Sequence, residues 1–173
     1  MDKLMFLGRE IELSEEFLYD PHRDYWVSVE ELGRCLTFGL TPAGVLKEGG
    51  YHSIEFTVPV GEEVQTGDTI AVAVTGKIKY LEAPAAGRVL EVNRLLEQSA
   101  AVIAEAPYTC WWLVRQEITG ENDLACLVSA AEYRTVLAEA DGRAAHGVKG
   151  VGSPTCRSVY EGLRAQKEKG VGV

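Results

Sequence analysis

Between Trp26 and Arg115 the chain is a succession of short runs rich in Val, Ile, Thr and aromatic residues, each closed by glycine, proline or an acidic pair. Apolar runs of this length, bounded by turn residues, predict β-strands. The pattern places them at 26–29, 35–38, 53–58, 69–74, 78–81, 87–92 and 111–116. A parallel α/β sheet would need a helical pattern between each pair, so a sandwich or barrel is expected instead. Two helices punctuate the strands. Thr41-Pro42 ahead of Ala43 to Glu48 and Gly49-Gly50 reads as an N-cap, an N1 proline, a short helix and a glycine stop. Ser129-Ala130-Ala131-Glu132 is a capping box, after which Tyr133, Val136 and Leu137 repeat at helical spacing before Gly142, so this helix is expected to pack on the sheet.

Beyond Gly142 the periodicity stops. His146-Gly147-Val148-Lys149-Gly150-Val151-Gly152 reads as a linker, and its glycines lack the Gly-Lys-Ser/Thr ending and preceding strand of a phosphate loop. Ser153-Pro154 then introduces a segment in which Cys156, Val159, Tyr160 and Leu163 share one helical face. That segment would either dock a partner or another copy, or cover part of its own barrel. The expected organisation is an N-terminal extension at 1–21, a domain at 22–141, a linker at 142–153 and a helical tail at 154–173.

Composition narrows the class. The 173 residues suffice for one core but not for two full-sized domains. No apolar run approaches the roughly 18 to 20 residues needed to span a bilayer, and the apolar start before Gly8 is too short for a signal-peptide core, so a cytoplasmic location is expected. A net charge of -9 opposes binding to nucleic acid and to anionic membranes and suits basic protein surfaces, or simply solubility. Cys35, Cys110, Cys126 and Cys156 form no C-x-x-C pair, so no zinc site is predicted and the four read mainly as small core residues. No nucleophile-elbow pattern marks a hydrolase.

The chemistry concentrates between Val60 and Val92. A turn at Gly61, a strand from Thr69 to Val74, a tight bend at Gly76-Lys77 and a returning strand follow one another. Glycine at the first central position suits a type II′ hairpin, which would aim Lys77 into solvent. An amine presented so is open to an enzyme that acylates it. Lys79 is the rival candidate, and the remaining alternative is that neither is acylated and both are solvated edge residues.

Valine-glycine, x-x-valine-x-x-glycine-acidic, an alternating strand, a tip lysine and alanine-proline-x-x-glycine-x-valine together resemble the lipoyl-attachment hairpin of the glycine cleavage system H protein family. The resemblance continues outward. Trp26-Val27-Ser28-Val29-Glu30, Gly33 and Phe38-Gly39-Leu40-Thr41 precede the hairpin, while Glu91-Val92-Asn93, Leu96, Glu105-Ala106-Pro107-Tyr108, Trp112-Leu113 and Ala131-Glu132-Tyr133 follow it. It covers about residues 22 to 138.

The resemblance implies an all-β barrel-sandwich hybrid of the lipoyl/biotinyl-carrier kind, with short helices, and a non-catalytic carrier subunit. It implies lipoic acid in amide linkage to lysine, with Lys77 or Lys79 as the site. The implied partners are a pyridoxal-dependent glycine decarboxylase, an aminomethyltransferase, dihydrolipoamide dehydrogenase and a lipoate ligase or transferase. The chain departs from the family at the attachment sequence Glu-Ser-Val-Lys-Ala, where it has Val74-Thr75-Gly76-Lys77-Ile78. Tyr25 stands where the family has a glutamate, and Leu81 or Tyr80 where it has an aspartate. Asp20 and His22 lie just before Trp26 and could line the same groove. Biotin is disfavoured, since Gly76 and Ile78 replace the methionines that flank a biotinyl lysine. The competing expectation is an H-like module that is not acylated and serves as an interaction or regulatory domain.

Overall fold

The computed structural model describes residues 1–109, 111–119 and 123–145. Its strands are β1 (Asp2–Phe6), β2 (Arg9–Leu13), β3 (Leu18–Asp20), β4 (Tyr25–Glu30), β5 (Cys35–Leu40), β6 (Ser53–Phe56), β7 (Glu63–Val64), β8 (Thr69–Val74), β9 (Ile78–Glu82), β10 (Gly87–Val92) and β11 (Trp112–Ile118). The helices are α1 (Pro42–Glu48), α2 (Leu95–Gln98) and α3 (Ala130–Ala145). All seven expected strands are present, two of them with the expected ends.

Every pairing is antiparallel. A six-stranded sheet runs β3-β4-β5-β11-β10-β7, a three-stranded sheet runs β6-β8-β9, and β1-β2 form a separate hairpin. Side-chain alternation joins the two larger sheets. On β6, Ile54 and Phe56 are buried while Ser53 and Glu55 face out. They meet Ile70, Ala71, Ala73 and Leu81 of the small sheet and Val27, Phe38, Val89 and Leu113 of the large one in a single core. The sandwich expected from the strand pattern is therefore what forms.

A second, smaller core holds Phe6, Ile11, Leu13, Tyr19, Trp26, Tyr133 and Leu137. Here α3 packs back as its periodicity predicts. Its capping box is reciprocal, with the Ser129 N–H donating to Glu132 Oε2 and the Glu132 N–H to Ser129 Oγ. Tyr133 stacks on Tyr19 with centroids 4.8 Å apart and shares hydrogen bonds with Asp24 and Thr41. The helix continues through Gly142 to Ala145 instead of stopping at the glycine. A helical glycine costs only about 1 kcal/mol relative to alanine, which an established helix tolerates. The rest of the expected linker and the tail lie outside the described residues.

Four strands were not expected. The β1-β2 hairpin closes through Leu7-Gly8, both at positive φ (49° and 77°), as a type I′ turn requires. Leucine in that conformation hides the turn from a reading that looks for Asn-Gly or Asp-Gly. β3 and β7 are only three and two residues long. Of the cysteines, Cys35 is buried as expected but Cys126 is exposed, because it lies on a short turn after β11 instead of in the core. Cys110 and Cys156 lie outside the described residues.

Candidate functional site

The tip joining β8 to β9 differs from the expected turn. Val74 pairs with Ile78, which leaves the three residues Thr75, Gly76 and Lys77 in the loop. Gly76 does not take the positive φ that a type II′ turn demands. Thr75 accounts for the change. Its side chain is buried, its N–H donates to the Lys77 carbonyl at 2.8 Å, and its Oγ1 lies within 3.4 Å of the Lys77 N–H. Thr75 thus joins the loop that was expected to hold two residues.

The loop also redirects Lys77. Its side chain is 18% exposed, so it does not stand out in water as the sequence suggested. Lys79 is 25% exposed. The pleat explains its direction: Lys79 pairs with buried Ala73 and shares a face with buried Leu81, whereas Ile78 and Tyr80 take the solvent side. β9 is an edge strand, and an inward-pointing charge is a common way to protect such an edge.

Both amines converge on Glu48, the last residue of α1. Lys79 Nζ is 2.6 Å from Glu48 Oε1, and Lys77 Nζ is 3.9 Å from Glu48 Oε2. The pairing of β6 with β8 puts the carboxylate there. The His52 N–H donates to the Val74 carbonyl and Ser53 pairs with Val74, so the end of α1 abuts the tip. Gly49, in the left-handed region at φ 73°, ends the helix at that point. Glu48 Oε2 is buried without a hydrogen-bond partner, as is the hydroxyl of Tyr51. Burial, and next the Glu48 carboxylate, push the Tyr51 phenol well up.

The other end of β9 is tightly built. Tyr25, buried at the start of β4, donates its hydroxyl proton to the Glu82 carbonyl at 3.0 Å and accepts from the Glu82 N–H at 3.2 Å. Tyr25 therefore ties β9 to the large sheet, and burial holds its phenol well above the usual range. Beyond it, Ala83 and Ala85 are buried, and Gln116 Nε2 donates to the Ala85 carbonyl at 2.8 Å. Gly87 has no room for a side chain, since a Cβ there would lie 1.6 Å from the Glu117 carbonyl oxygen.

Asp20 has a structural part. It is buried and accepts from the backbone N–H groups of His22 and Arg23 and from the Arg23 guanidinium. His22 is exposed. Arg23 also reaches Glu82 at 3.4 Å, at the same packed end of β9. Sequence reasoning passed over Glu48. Its position before Gly49-Gly50 was legible, but its meeting with the lysines depends on which strand β6 pairs with.

Among the described residues no group of three or more His, Cys, Asp or Glu could hold a metal ion, and no helix is long and apolar enough to cross a membrane.

Known proteins agree on one relationship. The sequence profile described as "Glycine cleavage H-protein" matches residues 17–140. The glycine cleavage system H protein of Staphylococcus saprophyticus subsp. saprophyticus is 35% identical over 115 residues, covering 66% of this chain and 89% of that protein. Its counterpart from Staphylococcus haemolyticus is 34% identical over the same span, with the same coverage. The crystal structure of a glycine cleavage system H protein from Mycobacterium marinum superposes with a TM-score of 0.60 at 26% identity, covering 72% of this chain and 98% of that one. By this match, on a strand-dominated fold with the lysine-bearing hairpin in place, the chain belongs to the glycine cleavage H-protein family, whose members are non-catalytic carrier subunits.

Proposed function

We propose that the protein is a lipoyl carrier of glycine cleavage, with the lipoyl group held in amide linkage by Lys77. What carries the reading is the match over residues 17–140 to a family of carriers, together with a lysine in the loop between Val74 and Ile78. The tip accommodates such a group. A Cβ added at Gly76 meets nothing within 4 Å and neighbouring Ile78 is 63% exposed, so there is open space beside the loop, into which an acylated Lys77 would turn from its covered position beside Glu48. Amide formation removes one positive charge, yet Lys79 stays on Glu48, so no lone carboxylate is stranded in a covered position.

When bound, the group supplies a disulfide that accepts and releases an aminomethyl unit. The chain's part is positional: a tethered cargo meets the next active site at high effective concentration. The partners that go with this reading are the pyridoxal-dependent glycine decarboxylase, the aminomethyltransferase, dihydrolipoamide dehydrogenase and a lipoate ligase or transferase. In this scheme the carrier body includes β3 and runs to the end of α3 at Ala145, so it reaches past the expected bounds of 22 and 141 on both sides.

Intact-mass measurement after incubation with lipoate, ATP and a lipoate ligase tests it. One added lipoyl group is expected, located on the peptide bearing Lys77, and Lys77→Arg abolishes the addition while the protein stays folded. Modification that persists in Lys77→Arg on a peptide bearing Lys79 moves the site. The second reading, an unmodified interaction or regulatory module, is favoured by one observation: both candidate amines lie mostly covered beside Glu48. An unmodified wild-type mass under these conditions supports that reading and rejects the first.

A further inference from the structure

We propose that the enzyme acylating the hairpin docks by adding an extended strand of its own to the free edge of β9, where it pairs with the backbone of Ile78 and Tyr80. The proposal rests on the carrier reading for the identity of that enzyme, and it holds whichever of the two lysines is acylated.

The bonds at the two ends of β9 fix the direction of the peptide groups between them. The Thr75 N–H donates to the Lys77 carbonyl at 2.8 Å, just outside the pairing of Val74 with Ile78. That bond makes Val74 and Ile78 a non-hydrogen-bonded pair, so the main-chain groups that face β8 belong to Lys77, Lys79 and Leu81. At the far end Glu82 turns its N–H and carbonyl away from β8, to the Tyr25 hydroxyl. The alternation leaves the N–H and C=O of Ile78 and Tyr80 on the open edge, and among the described residues nothing takes them up. The side chains beside them are apolar and exposed. Ile78 and Tyr80 are each 63% exposed and share the outer face of the sheet with Val74. An added strand thus finds main-chain partners for affinity and an apolar strip for its alternate side chains.

The same edge disfavours a second copy of this chain. Two copies satisfy all the free groups only by setting Ile78 of each against Tyr80 of the other. That register puts Lys79 directly opposite its counterpart, and like charges so placed are destabilising. A partner strand avoids the conflict with an acidic or small residue facing Lys79 and apolar residues on either side of it, against Tyr80 and Ile78. Tyr25 closes the edge at Glu82, so the strand is seated towards the tip. Lys77 precedes Ile78 directly, and a strand advances about 3.3 Å per residue. The reaction centre of the docked enzyme therefore lies within a few residues of its added strand.

Two substitutions at one position test the backbone contact, with lipoate ligase, ATP and saturating lipoate as the probe and the carrier concentration varied. Tyr80→Pro removes an N–H that nothing inside the protein uses, and proline is tolerated at such a place on an edge strand. Tyr80→Thr keeps the N–H and removes the ring. The KM for Tyr80→Pro should rise roughly tenfold, the worth of about one lost hydrogen bond, with kcat nearly unchanged, and that for Tyr80→Thr by roughly threefold at most. Equal KM values for the two variants overturn the proposal. If Tyr80→Pro does not fold, amide exchange in the full wild-type chain decides. The Ile78 and Tyr80 amides should exchange at least about tenfold faster than those of Lys79 and Leu81, and slow down when ligase is added in excess. Fast exchange that persists in saturating ligase overturns the docking claim. Protection in the free chain also overturns it, by showing the edge to be filled already, by another segment of the chain if it is independent of concentration and by a second copy if it grows with concentration. A wild type that is never lipoylated rejects the carrier reading and this proposal with it, whereas a Tyr80→Pro protein lipoylated with the wild-type KM rejects the docking alone.

Discussion

The two glycines that bracket β9 meet opposite surroundings. Gly87 sits between β7 and β11, paired with Val64 on one side and Ile118 on the other, and a side chain there would collide with the Glu117 backbone. Gly76, at the far end of the same strand, has open space where a methyl group would go. Around Gly87 are buried alanines and a buried glutamine bonded to the chain, while around Gly76 are Ile78 in solvent and two lysines on a carboxylate. One end of the hairpin is dictated by sterics. At the other, the space beside Gly76 is open. This difference is in keeping with the resemblance, in which the alanine-proline-x-x-glycine-x-valine half of the motif is intact while the residues around Lys77 depart from the family pattern.

The largest expected effect tests the packed end. Gly87→Ala places a methyl group within 1.6 Å of a carbonyl oxygen held in the ladder, so backbone must move to admit it. Overpacking of this kind costs about 3 kcal/mol or more when the obstacle is backbone. Denaturant unfolding monitored by tryptophan fluorescence should show the loss as a lowered midpoint. A midpoint equal to that of wild type would mean that the strand end yields easily, and the contrast between the two glycines would fail.

How much could be read in advance follows the same division. The strands of the sandwich were legible because their apolar residues alternate against a core, as Ile54 and Phe56 do. Gly87 was legible as a motif position, and its crowded surroundings supply the reason. Lys77 was expected at the hairpin tip and lies in the loop there, but the shape of that loop was not legible, because the buried Thr75 hydroxyl takes part in the turn and the glycine need not adopt positive φ. Glu48 was out of reach for a different reason. Nothing local to α1 records that β6 will pair with β8 and bring the helix end under the tip. The β1-β2 hairpin was missed because Leu7 occupies a conformation that its residue type rarely adopts.

An intermediate effect comes from alkali. Burial raises the Tyr25 phenol above its usual value near 10, and its hydroxyl holds both the N–H and the carbonyl of Glu82. In the unfolded chain the phenol ionises near 10, whereas the folded protein keeps the proton. Below pH 10 this contribution is fully present. Above it the unfolded state binds fewer protons and stability falls, by about 1.4 kcal/mol per pH unit for one such group. Tyr25→Phe should remove one proton's worth of slope from a plot of unfolding free energy against pH above 10, at some fixed cost from the lost hydrogen bonds. A slope identical to that of wild type would show that the packed end of β9 is not anchored through this phenol.

The smallest effect belongs to the tip, and it separates the two ends most sharply. Gly76→Ala introduces the same methyl group as Gly87→Ala, on a backbone outside the left-handed region and with no atom within 4 Å to oppose it. The folded state gains no clash, while the unfolded chain loses some of the freedom peculiar to glycine. The balance should be a slight stabilisation, within about 1 kcal/mol, seen as a small upward shift in the denaturant midpoint. A loss of more than that would show the loop to be built as tightly as the Ala83–Gly87 turn. Its residues would then be fixed by packing, and the contrast between the two ends of β9 would fail.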